Sequence, residues 1–213
     1  MRCILIIKKT IYLFFTCTLH IKNIKEIVFI LIFFYVFLVI ASPSERYIRL
    51  MPSWYIYPDN ETDAAQVLSF TKNRNAEDER LFRRTDESVV HAFADFVYET
   101  VDELRAIITQ SKVIMPIYTL KYTINRPRPY QINSEIKAWK SNTGDTQSYP
   151  AGHAFQAYYL CDILTEKYPA KQKYFEEIAR KCDEVRVKAG IHYVSDGQFA
   201  KEWVKRLKQM SVY

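Results

Sequence analysis

The sequence has little glycine (four residues), little cysteine (four) and, past its first 41 residues, almost no net charge. Five of its 30 Lys and Arg and one of its 24 Asp and Glu lie in residues 1–41, which leaves 25 positive and 23 negative groups in the rest. A body so balanced excludes a nucleic-acid footprint spread over its surface, and the basic character belongs to the leader. The cysteines divide as Cys3 and Cys17 in the leader, Cys161 and Cys182 in the body, which is no disulfide framework. The latter pair falls on two predicted neighbouring helices, as buried thiols or, in an oxidising compartment, as a bond. Strand-like alternation, internal repeats and low-complexity runs are missing too, so the expected class is all-α. With 213 residues, 49% of them hydrophobic, the chain can bury one substantial core: one globular domain behind a leader.

What is present begins with that leader. Ile27 to Ala41 is an uninterrupted run of 15 apolar residues, preceded by Lys22, Lys25 and Glu26 and followed by Ser42-Pro43-Ser44. Its length lies between a secretory signal core and the roughly 20 residues of a spanning helix. Val39 and Ala41 suit a cleavage site before Ser42. Basic residues on the amino side predict a cytoplasmic start and a body on the non-cytoplasmic side, either membrane-anchored or secreted. Residues 3–21 are apolar-rich but interrupted by Lys8 and Lys9, a weaker second span. Asn60-Glu61-Thr62 fits the glycosylation acceptor pattern, which matters if the body is lumenal.

From Ser42 to about Arg84 the chain reads as an irregular approach to the core, rich in Tyr, Pro and Asn as far as Asn75. Thr85-Asp86-Glu87 supplies caps for a helix that carries Val89, Val90, Phe93, Phe96, Val97, Val101 and Leu104 at helical spacing. A helix from Ser111 to about Tyr122, interrupted by Pro116, ends at Asn125-Arg126-Pro127-Arg128-Pro129, where prolines exclude helical geometry. A polar loop, Ser141 to Ser148, leads into a helix from Gly152 to Lys167 with Ala154, Ala157, Cys161 and Leu164 on one face. Another runs from about Lys171 to Lys188, with Tyr174, Ile178, Cys182 and Val185 inward. The last starts near His192 and shows Phe199, Trp203 and Leu207 at four-residue steps.

Three short segments carry chemistry. Tyr149-Pro150-Ala151-Gly152-His153 delivers a histidine to a helix start, where unpartnered amides and the helix dipole favour an anion. Lys121 to Pro129 holds three cations in nine residues, and Arg186 to Asp196 holds Arg186, His192 and Asp196. His192 and Asp196 are four apart, so the carboxylate can bond one ring nitrogen and leave the other as a lone pair, which suits a nucleophile. Alone, the two are as well explained by a helix-surface ion pair, and each cation by a solvated charge. Three of the four glycines, Gly152, Gly190 and Gly197, and two of the body's three histidines fall in or beside these segments, a placement that chance would scatter. Phosphoryl transfer needs fixed positive charge around three equatorial oxygens, which Lys121, Arg128 and Arg186 offer as a set.

Lys121-x6-Arg128-Pro129, then Pro150-Ala151-Gly152-His153, then Arg186-x5-His192-x3-Asp196 resemble the three-part signature of the type 2 phosphatidic acid phosphatase and vanadium haloperoxidase superfamily. Order and internal spacing agree over about 76 residues. The resemblance implies a helical bundle and a phosphatase domain over residues 85–213. In it His192 is the nucleophile forming a phosphohistidine, Asp196 orients it, and His153 is the general acid. Lys121, Arg128, Arg186 and the Gly152 amide cradle the phosphate, with no metal and no other cofactor. Two positions depart from the pattern: Ala151 and Val185 stand where serine is common. A lost donor to phosphate costs about 1.5 to 3 kcal/mol, roughly ten- to hundredfold in rate, if nothing replaces it. Val185 falls on the predicted core face.

One convincing apolar segment and amphipathic body helices look more like the class A nonspecific acid phosphatase branch than like the lipid phosphatases, which carry about six spans. The implied partners are a phosphorylated small-molecule or lipid substrate and, through the leader, a membrane. A vanadate-dependent haloperoxidase is a second reading, and a catalytically weakened phosphate- or lipid-binding membrane protein a third. Selectivity is expected from the residues that close the pocket, Gln131 to Ser148 and Tyr47 to Tyr57.

Overall fold

A computed structural model describes residues 57–210 and, in the leader, Val28 and Ile32, which are helical and exposed. The rest of the apolar run Ile27 to Ala41, the weaker span, Cys3, Cys17 and most of Tyr47 to Tyr57 lie outside the described residues. The chain divides between Ser42 and Pro43 into two units, and residues 57–210 belong to the second. No described helix is long and apolar enough to cross a membrane.

Nine α-helices build the described body and no strand occurs among its residues: α1 Asn60–Lys72, α2 Ala76–Thr85, α3 Val90–Phe93, α4 Val101–Ile108, α5 Ser111–Ile124, α6 Pro129–Ile132, α7 Gly152–Lys167, α8 Gln172–Lys188 and α9 Val194–Met210. The fold is all-α. Its centre is α7, which packs against α4, α5, α8 and α9. Phe155, Tyr159 and Leu160 are buried along with the expected Ala154, Ala157, Cys161 and Leu164, so α7 is covered on more than one face. Small residues at 154, 157 and 161 let its neighbours approach closely. One core lies where α7 and α8 meet α3 and α4 around Phe93, Leu104, Leu160 and Phe175; another joins α5, α7 and α9 around Val113, Ile117, Phe155 and Val204.

Several local expectations are corrected. Residues 60–85 are not an irregular approach but two helices. Asp59 accepts from the Glu61 and Thr62 amides and starts α1, while Asn75 and Asp78 form a capping box on α2. Each helix buries so few apolar side chains, Ala64 and Val67 in α1 and Phe82 in α2, that no stripe stands out. Asn60 is buried with its amide oxygen on Arg126, so the glycosylation pattern is incidental to the folded chain. The apolar stripe from Val89 to Leu104 is broken: after α3 and a 3₁₀ turn, Ala94–Phe96, Val97 is extended, and a Thr100–Glu103 capping box opens α4. Thr85 closes α2 rather than capping a following helix. Pro116 sits inside a continuous α5. On α8 the inward aromatic is Phe175, with Tyr174 nearly half exposed. On α9 Ala200 and Val204 are buried, while Phe199, Trp203 and Leu207 are only partly so.

Cys161 and Cys182 are free buried thiols, pushed up to about 11 and about 12 by that burial. Gly190 takes φ +77°, and a Cβ there would come within 2.7 Å of Ile136, so only glycine lets residues 133–140 close over the turn before His192.

Gly197 has a different role, because a Cβ on it would lie 2.0 Å from Oδ1 of Asp183. Three helices meet there: Asp183 on α8, Gly197 on α9, and Tyr158 on α7, whose hydroxyl donates to Asp183 Oδ2 at 3.0 Å. Burial pushes the Asp183 carboxyl up to about 7 against that hydrogen bond, with Asp196, Lys201 and Glu184 the other charges that bear on it. A carboxyl whose pKa is raised by folding stabilises the protein below its unfolded pKa, and that contribution is lost as pH climbs to the folded value. Unfolding free energy is therefore expected to fall by about 1.4 kcal/mol per pH unit from roughly pH 4 to 7 through this group. In Asp183→Asn the drop should disappear. Urea unfolding of both proteins at pH 5 and pH 7.5 checks it, and equal pH dependence in the two would refute the assignment.

Candidate active site

The sequence places a lysine on the buried stripe of α5: Val113, Ile117 and Lys121 follow at four-residue steps and all three are buried. Lys121 therefore runs inward beneath α7, against Gly152, where a Cβ would sit 3.9 Å from its Cε. Its Nζ donates to the Gln147 carbonyl. Burial, and then the Arg128 charge, hold its pKa well below the usual lysine value.

α5 ends where Asn125 takes the left-handed conformation, φ 52°, with its amide on the Lys121 carbonyl. The reversal turns Arg126 and Arg128 inward in opposite roles. Arg126 is fully buried and its fork is filled: Nε donates to Asn60 at 3.0 Å, one terminal nitrogen to Ser195 and Asp196 at 2.7 Å each, and the other to Asp63 at 2.8 Å. The rings of Tyr57 and Tyr193 cover its faces at 4.0 and 3.7 Å. Arg128 instead donates from Nε to the Thr146 carbonyl at 2.8 Å and from a terminal nitrogen to the Ile191 carbonyl at 2.6 Å and to His192 Nε2 at 2.9 Å.

Arginine has no acceptor, so Nε2 of His192 carries the lone pair and Nδ1 the hydrogen. Nδ1 donates to Asp196 Oδ2 at 3.1 Å. The same oxygen accepts from the Tyr193 amide at 3.0 Å and the Ser148 hydroxyl at 2.5 Å, and Oδ1 from Arg126. Burial raises the cost of the Asp196 charge, but Arg126 and the His192 and Ser148 hydrogen bonds outweigh it and hold the carboxyl far below the usual range. Burial and the Arg128 charge bring His192 down to about 3, so it is a neutral base at ordinary pH. His192 lies on the turn before α9, not on the helix as expected, yet the four-residue spacing still pairs it with Asp196.

α7 opens at Gly152 with no side-chain cap from Ala151, so its first amides are free for an anion. Nε2 of His153 bonds the Asp86 carbonyl at 3.0 Å as donor, leaving Nδ1 uncommitted. Burial, then the Arg186 charge, lowers its pKa well below the usual histidine value. Arg186 is fully buried, donating to the Asp86 carboxylate and the Thr85 hydroxyl at 2.9 Å each, with its Nε unbonded.

One pocket of about 380 Å³ is lined by Lys121, Arg128, Gly152, His153 and His192. Asp196 stands behind His192, and Arg186 stands behind His153 through Asp86, neither lining the cavity. Ile114, Ile117 and Tyr118 form an apolar wall; Glu87, Asn142, Thr143, Thr146 and Gln156 add polar groups. The loop expected to close the pocket does contribute, through residues 142, 143 and 146. Among the described residues no His, Cys, Asp and Glu cluster could hold a metal ion.

Sequence reasoning missed Arg126 and Asp86. Asp86 joins parts that are far apart in the chain: its carboxylate takes Arg186, the Ser141 hydroxyl at 2.6 Å and the Asn142 amide at 2.8 Å, and its carbonyl takes His153. Arg126→Met would leave two buried carboxylates, Asp63 and Asp196, short of their main partner. A loss of about 3 to 5 kcal/mol in unfolding free energy is expected. Arg126→Lys should recover little, since a point charge cannot fill the fork. Chemical denaturation measures both, and wild-type stability in Arg126→Met would contradict the pairing.

No curated protein matches the chain. Among solved structures it is similar to the first transmembrane PAP2 type phosphatidylglycerolphosphate phosphatase from Bacillus subtilis, at 20% identity and TM-score 0.45, covering 84% of this chain and 94% of that one. Residues 104–199 match the family model described as PAP2 superfamily, a span that holds the Lys121, His153 and His192 segments whole. By that match and the three motifs, residues 104–199 are similar to the PAP2 superfamily.

Proposed function

We propose that the domain is a phosphatase that hydrolyses phosphomonoesters through a phosphohistidine on His192, using no metal, as in the class A acid phosphatases that its sequence resembles. The observation that carries this reading is the His192 ring, fixed by Asp196 at Nδ1 with its Nε2 lone pair at the edge of a cationic pocket. The phosphoryl group sits on the α7 amides between Lys121 and Arg128. There a dianion offsets the burial that depresses Lys121. Arg128 holds the Nε2 lone pair with the nitrogen that also bonds the Ile191 carbonyl, so its hydrogen bond passes to a phosphoryl oxygen as substrate enters. Nε2 then attacks phosphorus, the ester oxygen leaves, and His153 protonates it from Nδ1. Water on the phosphohistidine, with His153 now as base, releases phosphate. The buried Arg186, expected from the sequence to touch the phosphate, does not line the pocket and adds its positive charge from behind His153. The leader, Ile27 to Ala41, would place the domain on the non-cytoplasmic side.

Full-length protein should hydrolyse aryl phosphates in excess chelator and be inhibited by vanadate. Activity lost to chelator and restored by a divalent ion would sink the reading, since a pocket floored by Lys121 and Arg128 repels a cation.

The histidines should separate. His192→Ala is expected to abolish turnover and any acid-labile phosphoenzyme trapped by rapid quench. His153→Ala should slow alkyl phosphates by about 10²- to 10⁴-fold and nitrophenyl phosphate far less, because only a poor leaving group needs the proton in full. In wild type kcat should fall as pH rises, since the acid must carry its proton and burial already disfavours it. Equal losses on both substrates would make His153 a binding residue, and phosphoenzyme in His192→Ala would overturn the nucleophile.

A further inference from the structure

Three consecutive residues, Thr146, Gln147 and Ser148, strap the site together. The Thr146 carbonyl holds Arg128, the Gln147 carbonyl holds Lys121, and the Ser148 hydroxyl holds Asp196. All three of these groups are committed to the protein. Thr146 keeps something in reserve. Its side chain lines the same pocket as Arg128, Gly152 and His192. Its hydroxyl accepts a long hydrogen bond, 3.5 Å, from the second terminal nitrogen of Arg128 and, among the described residues, donates to no group. A hydroxyl has one proton and two lone pairs, and a guanidinium on one lone pair leaves the proton directed away from the cation. Next to two buried cations and a helix N-terminus, the group that such a proton meets is an anion's oxygen.

The neighbouring chemistry makes this donor consequential. Ala151, at the cap of α7, is fully buried and has no hydroxyl to give, so the helix start offers backbone amides alone. Thr143 also lines the pocket, but it is exposed and its hydroxyl is engaged with Ser141 at 3.2 Å. Tyr118 stands on the apolar wall, nearly half exposed. Thr146 is the hydroxyl that shares the Arg128 guanidinium with the nucleophile. That guanidinium contacts Thr146 Oγ1 at one terminal nitrogen and His192 Nε2 at the other.

We propose that Thr146 is a further catalytic residue: its hydroxyl donates to a non-bridging phosphoryl oxygen, supplying from the loop the donor that Ala151 does not supply from the helix. The proposal rests on the phosphatase reading and narrows it to a particular atom.

Full-length wild type, Thr146→Val and Thr146→Ser are compared by hydrolysis of nitrophenyl phosphate and, without turnover, by calorimetric binding of inorganic phosphate. Valine keeps the shape and the backbone carbonyl that bonds Arg128 Nε, so Arg128 stays anchored; thermal unfolding verifies that the variant folds. The expected result is a roughly 10- to 100-fold drop in kcat/KM and a comparable weakening of phosphate in Thr146→Val, the scale of a hydrogen bond to a charged group. Thr146→Ser should stay within about threefold of wild type, because it retains the hydroxyl. Valine equal to wild type in both measurements overturns the proposal. So does serine falling as far as valine, which would assign the effect to the lost methyl. Wild type that binds phosphate but hydrolyses nothing would overturn the phosphatase reading while the binding comparison still decides Thr146. Wild type that binds no phosphate overturns both.

Discussion

A carboxylate with no exposure to water, Asp196, is the constraint on which the rest of the site depends. Burying an unpaired charge is costly, so the fold must gather donors around it. It gathers four: Arg126, Ser148, His192 and the Tyr193 amide. Each fixes something else. Ser148 ties down the loop entering α7, the Tyr193 amide starts α9 through the first-turn acid, and Nδ1 of His192 keeps its hydrogen to donate to the carboxylate, so that Nε2 must be the lone pair. Arg126 in turn needs Asn60 and Asp63, which draws α1 onto the site. Orientation of the His192 ring and helix packing are thus the same set of hydrogen bonds, which is why changing Arg126 should register in folding.

Three buried arginines show how partner chemistry divides labour among identical side chains. Arg126 faces two carboxylates and two aromatic rings, and is structural. Arg186 shares its charge with Asp86 at 2.9 Å. Arg128 is held by the Thr146 and Ile191 carbonyls, and Lys121 by that of Gln147. A carbonyl dipole positions a cation without cancelling its charge, whereas a carboxylate neutralises it. Of these cations, Lys121 and Arg128 are the two that line the pocket.

How much of the site was legible depends on sequence separation. His192 with Asp196, and Gly152 with His153 at a helix start, are local relations that helix geometry decodes directly. Lys121 alone read as a solvated charge, and its place on the buried stripe of α5 with Val113 and Ile117 came from the structure. Arg126 was unreadable because Asn60 and Asp63 lie more than 60 residues upstream, in α1, whose thin apolar face hid it as a helix. Asp86 was hidden by a plausible local role, helix capping, while its partners, His153 and Arg186, lie 67 and 100 residues away. The break between α3 and α4 was missed because apolar spacing continued across it and only the Thr100–Glu103 capping box marked a restart.

Ala151 shows why a motif departure cannot be judged at its own position. Read along the sequence, it removes a donor from the anion site. In the fold it is packed with Val113, Ile117 and Phe155, where it joins α5 to α7, and that packing sets the helix start against Lys121. On the proposed reading, a hydroxyl for the phosphate has to come from a chain segment free to face the cavity, and the 146–148 strap already runs past both pocket cations. The donor set of such a site is a property of the cavity wall, and a wall drawn from α5, α7 and two loops can lose a group on one and recover it on another.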